Sequence, residues 1–148
     1  MNIFDELRED HKTQRSLTND LLKTEGESAE RKSVWKKLKI ELQAHAAAEE
    51  RNLYNPMIEH DKSQENARHS IAEHHEIDEL IEKLDDTDMS SSAWLAHFKN
   101  LRELVFHHLH EEEYQIFTVA GRVLSESQKE KLGSEYRKMF EKEKKDMA

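Results

Sequence analysis

Three glycines and one proline in 148 residues leave this chain few means of turning sharply. Sheet architectures need turn residues every ~8–12 positions, so the scarcity points to long helices with few connectors. The apolar residues agree, because they recur at the 3.6-residue helical spacing. Ile3, Phe4, Leu7, Leu17, Leu21 and Leu22 predict a helix over about 3–24, stopped at Gly26. Ser28 is a candidate N-cap for a second helix carrying Val34, Trp35, Leu38, Leu42 and Leu53, and Pro56 should kink or end it. A third runs from about Asp61 through Ala67, Ile71, Ile77, Leu80, Ile81 and Leu84. It stops in the polar connector Asp85–Ser92. A fourth carries Trp94, Phe98, Leu101, Val105, Ile116, Phe117 and Val119 up to Gly121. Ser125 with Gln128 resembles a capping box opening a charged tail to about Lys145. The simplest packing is all-α: an up-down-up-down four-helix bundle over about 3–122, with an additional C-terminal helix at about 126–145 docked outside. One domain, 1–148, suffices for this length.

Charge and composition narrow the function. The net charge of −9, from 23 basic and 32 acidic residues, disfavours nucleic-acid and anionic-membrane partners, which attract basic surfaces. The N-terminal stretch shows no basic segment followed by an apolar one, and no run of ~18 apolar residues occurs. A cytoplasmic location is expected. The absence of Cys excludes thiolate nucleophiles and Cys-held zinc or iron–sulfur sites. Leu, Ile, Val and Phe make up only 31 residues, just above the ~20% at which charged chains tend to disorder. Ten His in so polar a chain invite a metal hypothesis.

An internal repeat organises them. Subtracting 63 maps His74 to His11, His108 to His45, Glu112 to Glu49 and Glu113 to Glu50. The apolar frame follows, with Phe98 on Trp35, Leu101 on Leu38, Val105 on Leu42 and Ile116 on Leu53. Trp35, Leu38, Leu42, His45, Glu49 and Leu53 advance by three or four residues, which keeps them on one helix face. The fourth helix repeats those steps through Phe98, Leu101, Val105, His108, Glu112 and Ile116. His11 and His74 lie on the apolar faces of the first and third helices. Each helix thus turns one His towards the bundle axis, and two also turn a Glu.

Burying four imidazoles and two carboxylates would cost several kcal/mol per unpaired charge. A pair of cations compensates, since neutral imidazole and carboxylate suit iron and manganese and binding energy becomes folding energy. In His-x-x-x-Glu the His can hold one ion while the Glu reaches a second, and two such Glu on facing helices can bridge both. A bundle whose polar residues only hydrogen-bond one another and set register would need the same His–Glu pair twice at one offset. The Glu-x-x-His of ferritin-like bundles is not met at His45, His74 or His108, and His-Glu-x-x-His is absent.

Asp10-His11, HAAAEERNLYNP at His45–Pro56, EHHEIDELI at Glu73–Ile81 and HLHEEEYQIF at His108–Phe117 resemble the successive signatures of the hemerythrin-like (HHE cation-binding) family, over essentially the whole chain. The resemblance implies a four-helix bundle with a non-haem di-iron centre. It places His11 and His45 on one iron, His74 and His108 on the other, and Glu49 and Glu112 as bridging carboxylates, with an oxo or hydroxo bridge. Oxygen-carrying members present a further His one turn on in the third helix, where this chain has Asp78. Asp78 is then either a ligand or an acceptor that orients an imidazole, the second being preferred. His75 is the other candidate ligand, although one position off the repeat. His107 and His110 are expected at the rim, and His60, His69 and His97 on solvated faces without partners. Glu50 and Glu113 suit salt bridges or support of the ligands, Tyr54 and Phe117 the end of the chamber, and the Lys/Glu-rich tail a solvated helix. The expected function is binding, sensing or turnover of a diatomic gas or peroxide. As an enzyme, the chain would be a peroxide- or nitric-oxide-directed oxidoreductase, with no catalytic residue assigned. The alternatives are oxygen storage and iron sensing without turnover.

Overall fold

Helix α1 (Ile3–Leu22) starts where the Asn2 side chain accepts the Asp5 N–H, satisfying one of the unpaired donors of the first turn. The same device opens α2 (Ala29–Glu49) at Ser28 and α5 (Ser92–Glu111) at Ser91. A reciprocal capping box between Ser125 and Gln128 opens α7 (Glu126–Met147). The computed structural model describes residues Met1–Ala148 and is all-helical, completed by α3 (Asn55–Ile58), α4 (Gln64–Asp85) and α6 (Phe117–Val123). Helix α2 packs against α1 and α7, and α4 against α5. No helix is long and apolar enough to cross a membrane.

Two local departures from the expected elements matter for the site. The second and fourth helices each pass through a five-residue π-helical turn, Glu50–Tyr54 and Glu112–Ile116, before resuming as α3 and α6. Pro56 therefore does not end the helix but lies in the first turn of α3, where a missing N–H is tolerated. Gly121 lies within α6 rather than at its end.

The apolar residues form two separate clusters. One gathers Ile3, Phe4, Leu7, Leu53, Met57, Ile116, Phe117 and Phe140. The other gathers Leu21, Trp35, Leu38, Leu42, Ile81, Trp94, Phe98 and Leu101. Between them the helices carry His11, Gln14, His45, Glu49, His74, His108 and Glu112, all buried. The C-terminal helix departs most from expectation. It is not merely a solvated face, because Gly133, Tyr136 and Phe140 are buried. Gly133 allows this, since a Cβ there would lie 2.8 Å from the backbone of Met1, Asn2 and Ile3.

Candidate metal centre

The four axis-facing His converge with Glu49 and Glu112 in two overlapping groups. His11, His45, Glu49 and Glu112 make one, and His74, His108, Glu49 and Glu112 the other, so both carboxylates are shared. His11, Glu49 and Glu112 are 0% exposed and the remaining three 3%. All six residues proposed from the repeat are thus brought together in the layer between the two apolar clusters.

Each imidazole is held from behind. His11 Nδ1 lies 2.8 Å from Glu113 Oε2, whose carboxylate also accepts from Arg15. His74 Nδ1 lies 3.0 Å from Glu50 Oε1, and His108 Nδ1 2.8 Å from Glu73 Oε1. His45 Nδ1 meets the Tyr136 hydroxyl at 2.6 Å, and Tyr136 donates in turn to Asp10. With Nδ1 committed outward, every Nε2 points inward, the orientation in which imidazole ligates a metal. His11 Nε2 is 3.0 Å from Glu112 Oε1, and His108 Nε2 is 3.3 Å from Glu112 Oε2. Glu49 Oε1 lies 3.4 Å from His45 Nε2 and 3.2 Å from His74 Nε2, and the two Nε2 atoms of His74 and His108 are 3.1 Å apart.

These spacings fit a shared cation. Two ligand atoms each about 2.1 Å from one ion and at right angles lie about 3 Å apart. His11 Nε2, His45 Nε2, Glu49 Oε2 and Glu112 Oε1 are moreover buried without hydrogen-bond partners, as atoms that turn towards an ion would be. Without an ion, protons serve instead. Burial would lower the His45 pKa, but Glu49, Asp10 and Glu112 push it up to about 10. His108 is likewise pushed up to about 10 against burial, by Glu112, Glu73 and Glu49. Burial would raise the Glu112 carboxyl, yet its hydrogen bond with Glu49 and the adjoining His108 and His11 hold it well below the usual carboxylate range.

The π turns set how the carboxylates are presented. Glu49 immediately precedes the first and Glu112 opens the second. The wider turn brings a residue five positions on nearer the same face. Tyr54 Oη accordingly lies 2.9 Å from Glu49 Oε1, five residues back, and also within hydrogen-bond reach of Glu112, with one proton to donate between them.

Asp78 is not one of the six clustered residues, but it lines the small cavity beside His45, His74 and His108, and the acceptor at His74 Nδ1 is Glu50. His75 is exposed, lining an outer groove with Asp78 and Glu50. Tyr54 closes the chamber as expected, and Phe117 stacks on His11 at 6.0 Å between ring centroids. His69, expected to lack partners, lies 2.8 Å from Glu111. Tyr136 and Gln14 were not foreseen. Gln14 is 1% exposed with its Nε2 unpartnered, and it lines a cavity of about 10 Å³ together with His45, His74, His108 and Asp78. Its position three residues after His11 and four before Thr18, both buried, is the sequence signal that could have found it.

The family model of the hemerythrin HHE cation-binding domain matches residues 2–120. The fold is that of a hemerythrin HHE cation-binding domain-containing protein from Mycobacterium kansasii, with a TM-score of 0.89 at 20% identity over 99% of this chain and 89% of that one. No curated protein matches the chain. With the family model spanning most of the sequence, and with buried His/Glu clusters able to hold metal, the chain belongs to the hemerythrin HHE cation-binding family.

Proposed function

We propose that this chain is a non-haem di-iron protein that reacts with or senses a small ligand: dioxygen, nitric oxide or peroxide. His11 and His45 would hold one iron, His74 and His108 the other, and Glu49 and Glu112 would bridge them. The observation that carries this reading is the sharing of both buried carboxylates between two His pairs. Imidazole and carboxylate donors without sulfur suit iron and manganese. When bound, a ferrous pair supplies electrons and open coordination positions for a diatomic or peroxide ligand.

The remaining features concern what this chain does around that ligand. The cavity beside three of the His has about the room of one water molecule, which favours a very small ligand over any larger substrate. Gln14 lines it with an unpartnered amide N–H and is the residue we assign to hydrogen-bond that ligand. The Tyr54 hydroxyl lies within hydrogen-bond reach of both carboxylates and steadies them. Apolar clusters on either side keep bulk water out. The reading takes the chain as one domain and its long helices as an up-down-up-down bundle with α7 added. The packing of α1 on α2 and of α4 on α5 across short connectors supports that topology. It also sets the protein in the cytoplasm, where reducing conditions maintain ferrous iron.

Oxygen storage or iron sensing without turnover is the alternative. Anaerobically reduced, iron-loaded protein mixed with each ligand separates the two. Catalytic consumption of peroxide or nitric oxide supports an oxidoreductase, whereas a reversible oxygen adduct without turnover supports storage. Absence of any spectral response to all three ligands would overturn the ligand-directed reading.

A further inference from the structure

The step His-x-x-x-Glu occurs three more times outside the buried cluster, and two of these occurrences face each other. His69 and Glu73 take it on α4, and His107 and Glu111 on α5. His107 and Glu111 each precede a buried residue, His108 and Glu112, by one position. One residue is a rotation of ~100°, which turns this second pair from the axis to the outer groove between α5 and α4. There the two pairs face each other. His69 Nε2 lies 2.8 Å from Glu111 Oε1 and 3.6 Å from Glu73 Oε2. His107 Nε2 lies 3.0 Å from Glu111 Oε2 and 3.6 Å from the same Glu73 Oε2.

We propose that His69, Glu73, His107 and Glu111 form a second, solvent-facing site for one divalent transition-metal ion, built across α4 and α5. Three of its ligand atoms, from His69, Glu73 and Glu111, lie within 4.8 Å of one another. His107 adjoins both carboxylates, and its side chain is 62% exposed, free to rotate inward. Two features separate the cluster from an ordinary surface ion-pair network. Both imidazoles present Nε2, the less hindered ligating nitrogen, to the same two carboxylates. The Glu73 side chain is only 8% exposed, and while its Oε1 accepts from His108, its Oε2 carries no hydrogen bond and aims into the cluster. A largely buried carboxylate whose second oxygen makes no hydrogen bond within the protein and lies 3.6 Å from each of two imidazoles offers a donor to a cation. Two nitrogen and two oxygen donors suit zinc, ferrous, cobaltous or manganous ions. Exposed His69 and His107 leave room for bound water and for exchange with the medium.

Glu73 also joins the two sites. Its Oε1 orients His108, so an ion at Oε2 draws charge from the carboxylate that steadies a residue of the buried centre. Occupancy outside is thereby felt inside. That coupling rests on the di-iron reading, whereas the outer site itself does not.

The test uses Co²⁺ as the probe on untagged, full-length protein whose buried centre has first been filled with iron. Visible absorption titration should show one further Co²⁺ per chain, and anomalous scattering from soaked crystals should place it between His69, Glu73 and Glu111. His69→Ala and His107→Ala should each weaken Co²⁺ binding roughly tenfold or more while iron per chain stays unchanged. If the buried centre takes no iron, the soak on metal-free protein still reports the outer position separately, so the two readings fail independently. No cobalt density at the outer position would overturn the proposal, as would binding indifferent to both substitutions.

Discussion

His45 depends on a residue 91 positions away, since its Nδ1 is held by the Tyr136 hydroxyl and Tyr136 is anchored on Asp10. Tyr136→Phe keeps the ring against Phe140 but removes that link. Loss of such outer hydrogen bonds costs 10–100-fold in metal affinity. A fall of about that size for one ion of the pair is expected from competitive chelator titration. Protonation gives a second consequence. His45 and His108 are pushed up to about 10 in the metal-free chain, whereas ligation requires neutral imidazole. Metal loading at pH 7 should therefore release protons, from these two imidazoles at least, read by calorimetry in buffers of different ionisation enthalpy. Since both folded pKa values lie above the ordinary 6.5, the stabilisation they give is complete below pH 6.5 and lost as pH rises towards 10. The melting temperature of metal-free protein should fall across that interval. The six clustered residues were legible because a His or Glu recurring inside an apolar stripe at an offset of 63 is a one-dimensional pattern. Tyr136 and Gln14 were not, because their roles come from contacts that no local spacing encodes.

The helices were legible to within a few residues, for α1, α2, α4 and α5 each combine an apolar stripe with a cap or polar connector. The π turns at Glu50–Tyr54 and Glu112–Ile116 were not. Widening one turn changes the chain by a single residue's worth of rotation and leaves no mark in composition. The role of α7 was hidden for another reason: only Gly133, Tyr136 and Phe140 of its 22 residues are buried, so its charged majority dominates any reading of the tail. Gly133 is the point at which it docks. In Gly133→Ala the new methyl would meet backbone atoms of Met1, Asn2 and Ile3 at 2.8 Å, and main chain cannot step aside as a flexible side chain can. Helix α7 should lift, at a cost of about 1–3 kcal/mol, and draw Tyr136 from His45. A lower melting temperature together with weaker metal binding is expected. A lower melting temperature alone would show that α7 steadies the fold without supporting the centre.

Across the whole chain, a layer of buried imidazoles and carboxylates separates two apolar clusters that do not merge. In such an arrangement the ions would act as the missing middle of the core, and binding energy would enter stability directly. At free metal a thousandfold above the dissociation constant, linkage contributes about 4 kcal/mol per ion. Thermal unfolding before and after chelation should therefore differ by many degrees, and equal melting temperatures would mean that the layer closes on its own hydrogen bonds. The all-helical architecture was visible in the scarcity of Gly and Pro, and the division of the core followed from His and Glu falling midway along the apolar stripes. The most direct test of the central claim is iron content per chain, with the near-ultraviolet spectrum, of untagged protein expressed in iron-supplemented medium. We expect two irons per chain and oxygen-to-iron charge-transfer absorption, both diminished in His45→Ala. Protein that folds to the same helix content without iron would contradict the account.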